Sequence, residues 1–119
     1  MDLRFFRRKK DSHTLYTEAL EALLQGDSDN AFEKLRELIR EDTENVRAYL
    51  KLGDIFRERG QVEQAIKIHR SLTFRRKLST TMKADIYASL ALDYQESGRF
   101  DRAEESADRI LKFERKNRW

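Results

Sequence analysis

The sequence predicts an all-α fold in the form of an α-solenoid of three helix-turn-helix hairpins, and three observations support this class. The chain of 119 residues contains no proline and only four glycines, which suits long helices better than a β-sheet fold rich in turns. Charged residues make up 39% of the chain, compared with about a quarter in typical globular domains. A glycine followed five residues later by an alanine occurs three times: Gly26 with Ala31, Gly60 with Ala65, and Gly98 with Ala103.

The first hairpin is predicted over residues 12–45, after a basic N-terminal tail at residues 1–11. Its two helices flank Gly26, and its apolar positions follow the helical period less regularly than those of the later hairpins. These positions are Leu15, Ala19, Leu20 and Ala22 before the glycine, and Ala31, Leu35, Leu38 and Ile39 after it.

The second hairpin, residues 46–79, shows the clearest helical period. Four residues recur at the i, i+3, i+4 and i+7 spacing of one helix face: Tyr49, Leu52, Gly53 and Phe56. This pattern predicts a first helix over 46–59. Gly60 then supplies the positive φ angle that ends such a helix at low steric cost, and a second helix is predicted over 62–75.

The third hairpin is predicted over residues 84–117, followed by the C-terminal end at 118–119. It repeats the same spacing: Tyr87, Leu90, Ala91 and Tyr94, then Gly98. The interval from the second turn glycine to the third is 38 residues instead of 34. The four extra residues, Thr80 to Lys83, either extend a helix by one turn or lengthen the loop, with Thr80 or Thr81 as an N-cap.

Small residues are predicted where the two helices of a hairpin approach closely, because only a small side chain lets the backbones come together. A larger residue at such a position would overpack the hairpin by about 1–3 kcal/mol. The residues predicted to hold the hairpins together are Gly53, Phe56, Gly60, Ala65, Ala91, Gly98 and Ala103.

Several classes of site are excluded or disfavoured by residue content. The chain has no cysteine, which excludes disulfides, thiolate metal sites and cysteine nucleophiles and suits a reducing compartment. His13 and His69, the only histidines, lack the spacing of metal ligands, and no catalytic set or phosphate-binding loop stands out. No apolar run approaches the roughly 20 residues of a membrane span. We therefore expect a cytoplasmic protein without a metal, a cofactor or an enzymatic activity.

The net charge of +3 is unevenly distributed, because residues 1–10 and 108–119 are basic while the middle of the chain carries −4. The N-terminus, with Phe5 and Phe6, is either a disordered solubilising tail or a segment that contacts an anionic membrane surface. A nucleic-acid-binding surface would use both ends together with Arg70, Arg75, Arg76 and Lys77. Such a function is disfavoured, because few exposed aromatic residues are available to stack on bases.

The second hairpin resembles the tetratricopeptide repeat family, whose pattern is an aromatic residue, Leu-Gly, a second aromatic residue and then Ala. Here the pattern is met by Tyr49, Leu52-Gly53, Phe56 and Ala65. The late proline of the family is missing from every unit, and Glu18 stands where the first unit would have Leu.

Residues 50–60 and 65–70, with the run from Asp101 to Glu104, are similar to the N-terminal repeats of the lipopolysaccharide assembly protein B family. The resemblance covers roughly residues 17–111. It implies a cytoplasmic adaptor at the inner membrane that helps a membrane protease to destroy a deacetylase of lipid A biosynthesis. The membrane helix and the zinc module of that family have no counterpart in this sequence. The chain is therefore expected to be a fragment, a shortened relative or a different tetratricopeptide protein.

The resemblance also implies that the first helix of each hairpin lines a concave groove that binds a partner protein or peptide. The predicted groove residues are Tyr16, Leu20, Leu23, Arg47, Leu50, Asp54, Arg57, Asp85, Ala88, Leu92 and Gln95. Such a surface suits a peptide with an apolar anchor and charged flanks; the alternative interpretation is a solvated surface with some end-cap core. The groove lacks the basic and amide residues with which chaperone-binding relatives hold a C-terminal carboxylate, because Leu50 and Asp54 occupy those places.

The last helix leads to a second hypothesis. It carries apolar residues with almost nothing after them, although a solenoid needs a polar outer cap: Ala107, Ile110, Leu111 and Phe113. The chain is thus expected to act as a scaffold or adaptor in the regulation of bacterial lipopolysaccharide (lipid A) biosynthesis, or to form a homo-oligomer through its end helix.

Overall fold

The computed structural model describes residues 10–116, and every regular element in this range is an α-helix. The helices are α1 (Ser12–Leu24), α2 (Ser28–Glu41), α3 (Val46–Glu58), α4 (Val62–Leu72), α5 (Thr80–Glu96) and α6 (Phe100–Lys116). They pack as the pairs α1 with α2, α3 with α4, and α5 with α6, which confirms the predicted all-α class of three hairpins. Residues 1–9 of the predicted basic tail and residues 117–119 lie outside the described range.

The three hairpin turns share one set of backbone hydrogen bonds. In the second turn the N–H of Gly60 donates to the carbonyl of Arg57 at 2.9 Å, and the N–H of Gln61 donates to the carbonyl of Phe56 at 2.8 Å. These two bonds form the Schellman motif, which requires a residue with positive φ, and Gly60 has a φ of 81°. A Cβ at this glycine would meet no atom within 4 Å, so glycine is favoured here for its backbone angle and not for space.

Side chains cap the N-termini of three helices and satisfy backbone N–H groups that have no partner inside the helix. The carboxylate of Asp11 accepts from the N–H of Thr14 (2.7 Å), the carboxylate of Asp27 accepts from the N–H of Asn30 (3.1 Å), and the hydroxyl of Ser79 accepts from the N–H of Met82 (3.0 Å). The backbone hydrogen bond from Thr14 holds the pKa of the Asp11 carboxyl below its ordinary value, because it stabilises the ionised form.

The chain divides into two compact units, one ending at Asn45 and one beginning at Val46. The first unit is the α1/α2 hairpin, and its buried apolar residues are Leu15, Ala19, Ala22, Ala31, Leu35 and Leu38. Glu18, which departs from the family pattern, forms ion pairs with Lys10 at 2.8 Å and with Lys34 at 3.1 Å. Hydrogen bonds from these two lysines lower the pKa of the Glu18 carboxyl.

The second unit contains α3 to α6, and its core lies where α5 packs against both α3 and α4. One apolar cluster joins residues of all three helices: Leu50, Ile66, Leu72, Ile86, Leu90 and Tyr94. Ala103 of α6 packs against this cluster. The two hairpins of this unit therefore share a core, as expected for helical repeats that cannot each bury their apolar face alone.

The join between the second and third hairpins differs from three details of the prediction. The helix α4 ends at Leu72 and not at residue 75, and α5 begins at Thr80, before the predicted start of the third repeat at residue 84. The four extra residues lengthen α5, which has 17 residues against 13 in α3. The N-cap is Ser79, so the prediction of Thr80 or Thr81 was wrong; both lie inside the helix.

Candidate functional site

The predicted groove residues of the second unit lie on two adjacent helices. We call this surface the α3/α5 face, and it consists of Arg47, Leu50, Asp54 and Arg57 of α3 with Asp85, Ala88, Leu92 and Gln95 of α5. The two helices are joined directly, because Nη1 of Arg57 donates to the backbone carbonyl of Ser89 at 3.3 Å. In the second unit α3 and α5 are therefore neighbouring helices.

Leu50 is the clearest correction on this face. It was predicted to be available to a partner, but it is only 8% exposed and belongs to the core cluster. The physical reason is that α5 packs over α3 and brings Leu50 into one apolar cluster with Ile86 and Leu90. Leu50 therefore contributes to stability and leaves little side-chain surface for a ligand.

Asp54 and Arg57 were predicted as charged groove residues, and both are instead bound to each other and to a buried partner. Arg57 Nη1 lies 3.1 Å from Asp54 Oδ1 and 2.9 Å from Asp93 Oδ1. The side chains of Asp54 and Arg57 are 19% and 13% exposed, and Asp93 is fully buried. The middle of the face is thus an internal salt bridge and not a free charged surface.

His69 completes this group, which we call the ionic cluster: Asp54, Arg57, His69 and Asp93. The ring is fully buried; its Nδ1 contacts Asp93 Oδ2, and its Nε2 lies 3.0 Å from the carbonyl oxygen of Leu50. A carbonyl only accepts hydrogen bonds, so Nε2 carries a proton. Asp93 contacts His69 through one carboxylate oxygen and Arg57 through the other.

The ionic cluster holds the charge of Arg57 in place. Desolvation by burial opposes that charge, but the hydrogen bond to Asp93 and the negative charge of Asp54 outweigh it. The pKa of the Arg57 guanidinium is therefore raised above its ordinary value. A buried charge is stable only when paired and hydrogen-bonded, and within residues 10–116 no buried side-chain nitrogen or oxygen lacks a hydrogen-bond partner.

Gly53 makes room for His69. A Cβ built at Gly53 would lie 2.7 Å from Cδ2 and 2.9 Å from Cε1 of the His69 ring, closer than real Cβ contacts allow. The small residue was predicted from helix packing in general; the structure shows that the atom it avoids belongs to one buried polar ring. Gly53 and His69 are therefore a matched pair across α3 and α4.

The accessible part of the α3/α5 face is left to five residues: Arg47, Asp85, Ala88, Leu92 and Gln95. Leu92 is 49% exposed. Ala88 precedes it by one helical turn, so the two form a small apolar strip on α5. Arg47, Asp85 and Gln95 add polar groups to the same surface.

The predicted groove residues of the first unit are all partly buried on α1: Tyr16, Leu20 and Leu23. Among the predicted packing residues, Gly53 and Ala65 are buried, while Phe56, Ala91 and Ala103 are partly buried. Gly60 and Gly98 are exposed turn residues, so they act through backbone angles and not through packing.

The predicted self-association residues of α6 have mixed exposure. Leu111 is 51% exposed and Ala107 is exposed, whereas Ile110 and Phe113 are partly buried. Phe113 packs on Tyr87, with their ring centroids 5.7 Å apart. Part of the apolar surface of α6 is therefore covered by α5.

Asp93 is the important residue that sequence reasoning missed. Its partners Arg57 and His69 lie 36 and 24 residues away along the chain, and no local pattern pairs residues so far apart. The available signal is its position between Leu90 and Tyr94, both on the apolar side of α5. A carboxylate on a buried helix face needs a buried cationic or hydrogen-bonding partner.

The tetratricopeptide repeat family matches residues 22–77. Lipopolysaccharide assembly protein B of Escherichia coli (strain K12) is 34% identical over 95 residues, which cover 80% of this chain and 24% of the relative. The protein of the same name from Haemophilus influenzae is 31% identical over 97 residues, covering 75% of this chain and 24% of the relative. The chain thus spans about a quarter of the length of these relatives.

Solved structures agree on the fold. Two crystal structures of MamA superpose with TM-scores of 0.74 and 0.72, at 21% and 22% sequence identity. Each match covers 89% of this chain, and 60% or 56% of the MamA chain. Among residues 10–116, no helix combines the length and hydrophobicity of a transmembrane span. The repeat spacing, the three Schellman turns and these matches identify the chain as a tetratricopeptide repeat protein that resembles lipopolysaccharide assembly protein B.

Proposed function

We propose that this chain is a non-catalytic adaptor in lipopolysaccharide assembly that binds a segment of a partner protein on the α3/α5 face. Tetratricopeptide repeats are protein-interaction scaffolds, and the accessible strip of Ala88 and Leu92 is the observation that supports this use of the face. An apolar side chain of the partner would cover Leu92, and its polar flanks would meet Arg47, Asp85 and Gln95.

The ionic cluster supports the proposal by making the face rigid. Arg57 is bonded to Asp54 in its own helix and to Ser89 and Asp93 in α5. A surface whose backbone is already fixed loses less conformational entropy when a ligand binds. The charged residues in the middle of the face thus position the strip and do not contact the partner themselves.

The link to lipopolysaccharide rests on the similarity to lipopolysaccharide assembly protein B over 95 residues. With this function we propose a location in the cytoplasm at the inner membrane, as the resemblance implies for that family. A chimera tests both. In an Escherichia coli strain that lacks its own copy, the matching segment of the native protein is replaced by residues of this chain, and cellular lipopolysaccharide is measured together with membrane fractionation.

We expect the chimera to restore the lipopolysaccharide level, and Leu92→Glu to abolish this rescue because a carboxylate cannot be buried against an apolar partner side chain. Leu111→Glu is the matched control, since Leu111 has nearly the same exposure, 51% against 49%, but lies on α6. A photo-reactive residue at position 92 should crosslink one partner protein, and the same residue at position 111 should not. A chimera that folds but fails to rescue would contradict the lipopolysaccharide proposal.

A self-association module is the second candidate, favoured by the exposed apolar side chains of α6, Leu111 at 51% and Phe100 at 66%. The same variants separate the two functions. Loss of rescue by Leu111→Glu but not by Leu92→Glu, together with a mass that falls from dimer to monomer in light scattering, would favour self-association.

A further inference from the structure

A groove separates α4 from α6 on the other side of α5 from Ala88 and Leu92. It has a volume of about 380 Å³ and is lined by Arg70, Thr73, Phe74, Tyr87, Leu90, Tyr94, Arg102, Glu105, Ser106 and Arg109. A second hollow of about 210 Å³ shares Thr73, Tyr87 and Arg109 with it and adds Lys83 and Phe113. The two hollows are neighbours that share these three lining residues, and we call them together the α4/α6 groove.

The floor of the α4/α6 groove is apolar and aromatic. Leu90 and Tyr94 are buried core residues, and Tyr87 packs against Phe113. At one edge Phe74 is 81% exposed, in the segment that follows α4. A large apolar residue at the edge of a hollow with an apolar floor provides a contact surface for an apolar side chain of a ligand.

The edges of the groove are cationic. Arg70, Lys83, Arg102 and Arg109 line it, against the single carboxylate of Glu105. Arg109 lies over the Tyr87 ring at 5.7 Å and Lys83 over the Phe113 ring at 5.9 Å. The side chains of Arg70 and Arg102 make no ion pair with any carboxylate of residues 10–116. Three of these cations, Arg70, Lys83 and Arg102, lie between the two basic ends, in the part of the chain that carries a net charge of −4.

These observations favour an anionic ligand that also carries an apolar group. We propose that the α4/α6 groove binds an acidic segment of a partner protein, with one large apolar side chain placed against the exposed ring of Phe74. Carboxylates on either side of that anchor pair with the guanidinium groups of Arg70 and Arg102, which can each accept a carboxylate in bidentate geometry. Glu105 excludes a further carboxylate from its own position.

A nucleic acid fits the groove less well. Bases need free ring faces for stacking, but a cation covers Tyr87 and another covers Phe113, and Tyr94 is 6% exposed. Among the rings that line the groove, this leaves Phe74 for stacking. The proposal is independent of the function proposed for the α3/α5 face, because the two surfaces use opposite sides of α5 and different residues.

A displayed library of random dodecapeptides tests the proposal. The library is selected on the wild-type protein, and sequences that still bind the double variant Arg70→Glu/Arg102→Glu are removed. We expect the remaining peptides to share acidic residues around one large apolar residue. A synthetic consensus peptide, measured by fluorescence anisotropy, should bind the double variant about tenfold more weakly, as expected when two charge-assisted pairs are reversed.

Three controls complete the test. Arg115→Glu reverses one arginine charge elsewhere on α6, half the change made in the double variant, and should leave the affinity unchanged. Phe74→Ser should weaken the consensus peptide about threefold through lost apolar contact, and it keeps the test valid if the double variant does not fold. Replacing the apolar anchor of the peptide by serine should have an effect at least as large.

Three results would overturn the proposal. One is that no selected peptide depends on Arg70 and Arg102. Another is that single-stranded oligouridine binds through the same residues more tightly than the consensus peptide does. The third is a concentration-dependent dimer of the protein that the double variant abolishes, because a second copy would then occupy the groove.

Discussion

Replacing Asp93 by alanine should strongly destabilise the second unit. Asp93 is fully buried and accepts hydrogen bonds from two cationic or potentially cationic groups, Arg57 and His69. A hydrogen bond to a charged group contributes about 1.5–3 kcal/mol, so two such bonds predict a loss of roughly 3–6 kcal/mol. Breaking a buried ion pair by removing one partner costs about 3–5 kcal/mol, which agrees. The loss is a large fraction of the roughly 5–15 kcal/mol that stabilises a typical domain.

Asp93→Asn is the matched control for this prediction. Its side chain has nearly the same shape, its carbonyl accepts from Arg57, and its amide donates to Nδ1 of a neutral His69. We therefore expect a smaller loss, about 1–2 kcal/mol, which comes from the unbalanced charge of Arg57. A free energy of unfolding that is lowest for the alanine variant, intermediate for the asparagine variant and highest for the wild type distinguishes the loss of hydrogen bonds from the loss of charge alone.

Urea unfolding followed by circular dichroism measures both losses of stability. In thermal unfolding, the melting temperature of the alanine variant should be roughly 10–20 °C lower than that of the wild type. Hydrogen exchange, followed helix by helix, should locate the lost protection in α3, α4 and α5. In a double-mutant cycle with Arg57→Met, the coupling energy should be about 1–3 kcal/mol. A destabilisation by Asp93→Ala below about 1 kcal/mol, or no measurable coupling, would show that the ionic cluster adds nothing to stability.

The remaining predictions concern single contacts. Gly53→Ala should lower the free energy of unfolding by about 1–3 kcal/mol through the clash with His69, although alanine is the better helix former; an unchanged urea midpoint would contradict the clash. Ser79→Ala should cost about 1 kcal/mol by removing the N-cap of α5, measured by the same unfolding curve. Because the pKa of Asp11 is lowered in the folded state, its contribution is present above the unfolded-state pKa and is lost as pH falls through the folded-state pKa. Asp11→Asn should therefore reduce the acid sensitivity of α1 in an NMR pH titration while keeping the cap.

The parts of the fold that depend on local sequence could be predicted well. Each Schellman turn needs a residue with positive φ at one place, so Gly26, Gly60 and Gly98 mark the three turns directly. The helical period around Gly53 likewise predicted the helix α3 to within one residue of its observed end. These features involve residues close together in the chain, whose backbone preferences are independent of the rest of the molecule.

The join between the second and third hairpins shows the limit of local information. Ser79, Thr80 and Thr81 are all competent N-caps, and the preference for serine over threonine is too small to select one by itself. In the structure Leu78 and Met82 both pack against the core of the second unit, and this contact fixes where α5 begins. Tertiary packing, and not capping preference, decides between three adjacent hydroxyl residues.

The candidate site was harder to predict because exposure depends on long-range packing. Leu50 and Leu92 are both leucines on predicted groove positions, yet one is 8% exposed and the other 49%. The difference arises because α5 covers Leu50 of α3, whereas no described helix of the second unit covers Leu92 to the same degree. Asp54 and Arg57 were placed on the correct helix, but their shared partner Asp93 could not be inferred from spacing.

The ionic cluster also limits how this protein can be lengthened or recombined. Arg57 belongs to the second hairpin and Asp93 to the third, and their side chains meet at 2.9 Å. An additional hairpin inserted between them would separate the two groups and leave the carboxylate of Asp93 buried without Arg57 and His69, while Arg57 would keep only Asp54. The four helices from Val46 to Lys116 should thus be inherited, duplicated or grafted as one indivisible cassette, with new repeats tolerated only beyond its two ends.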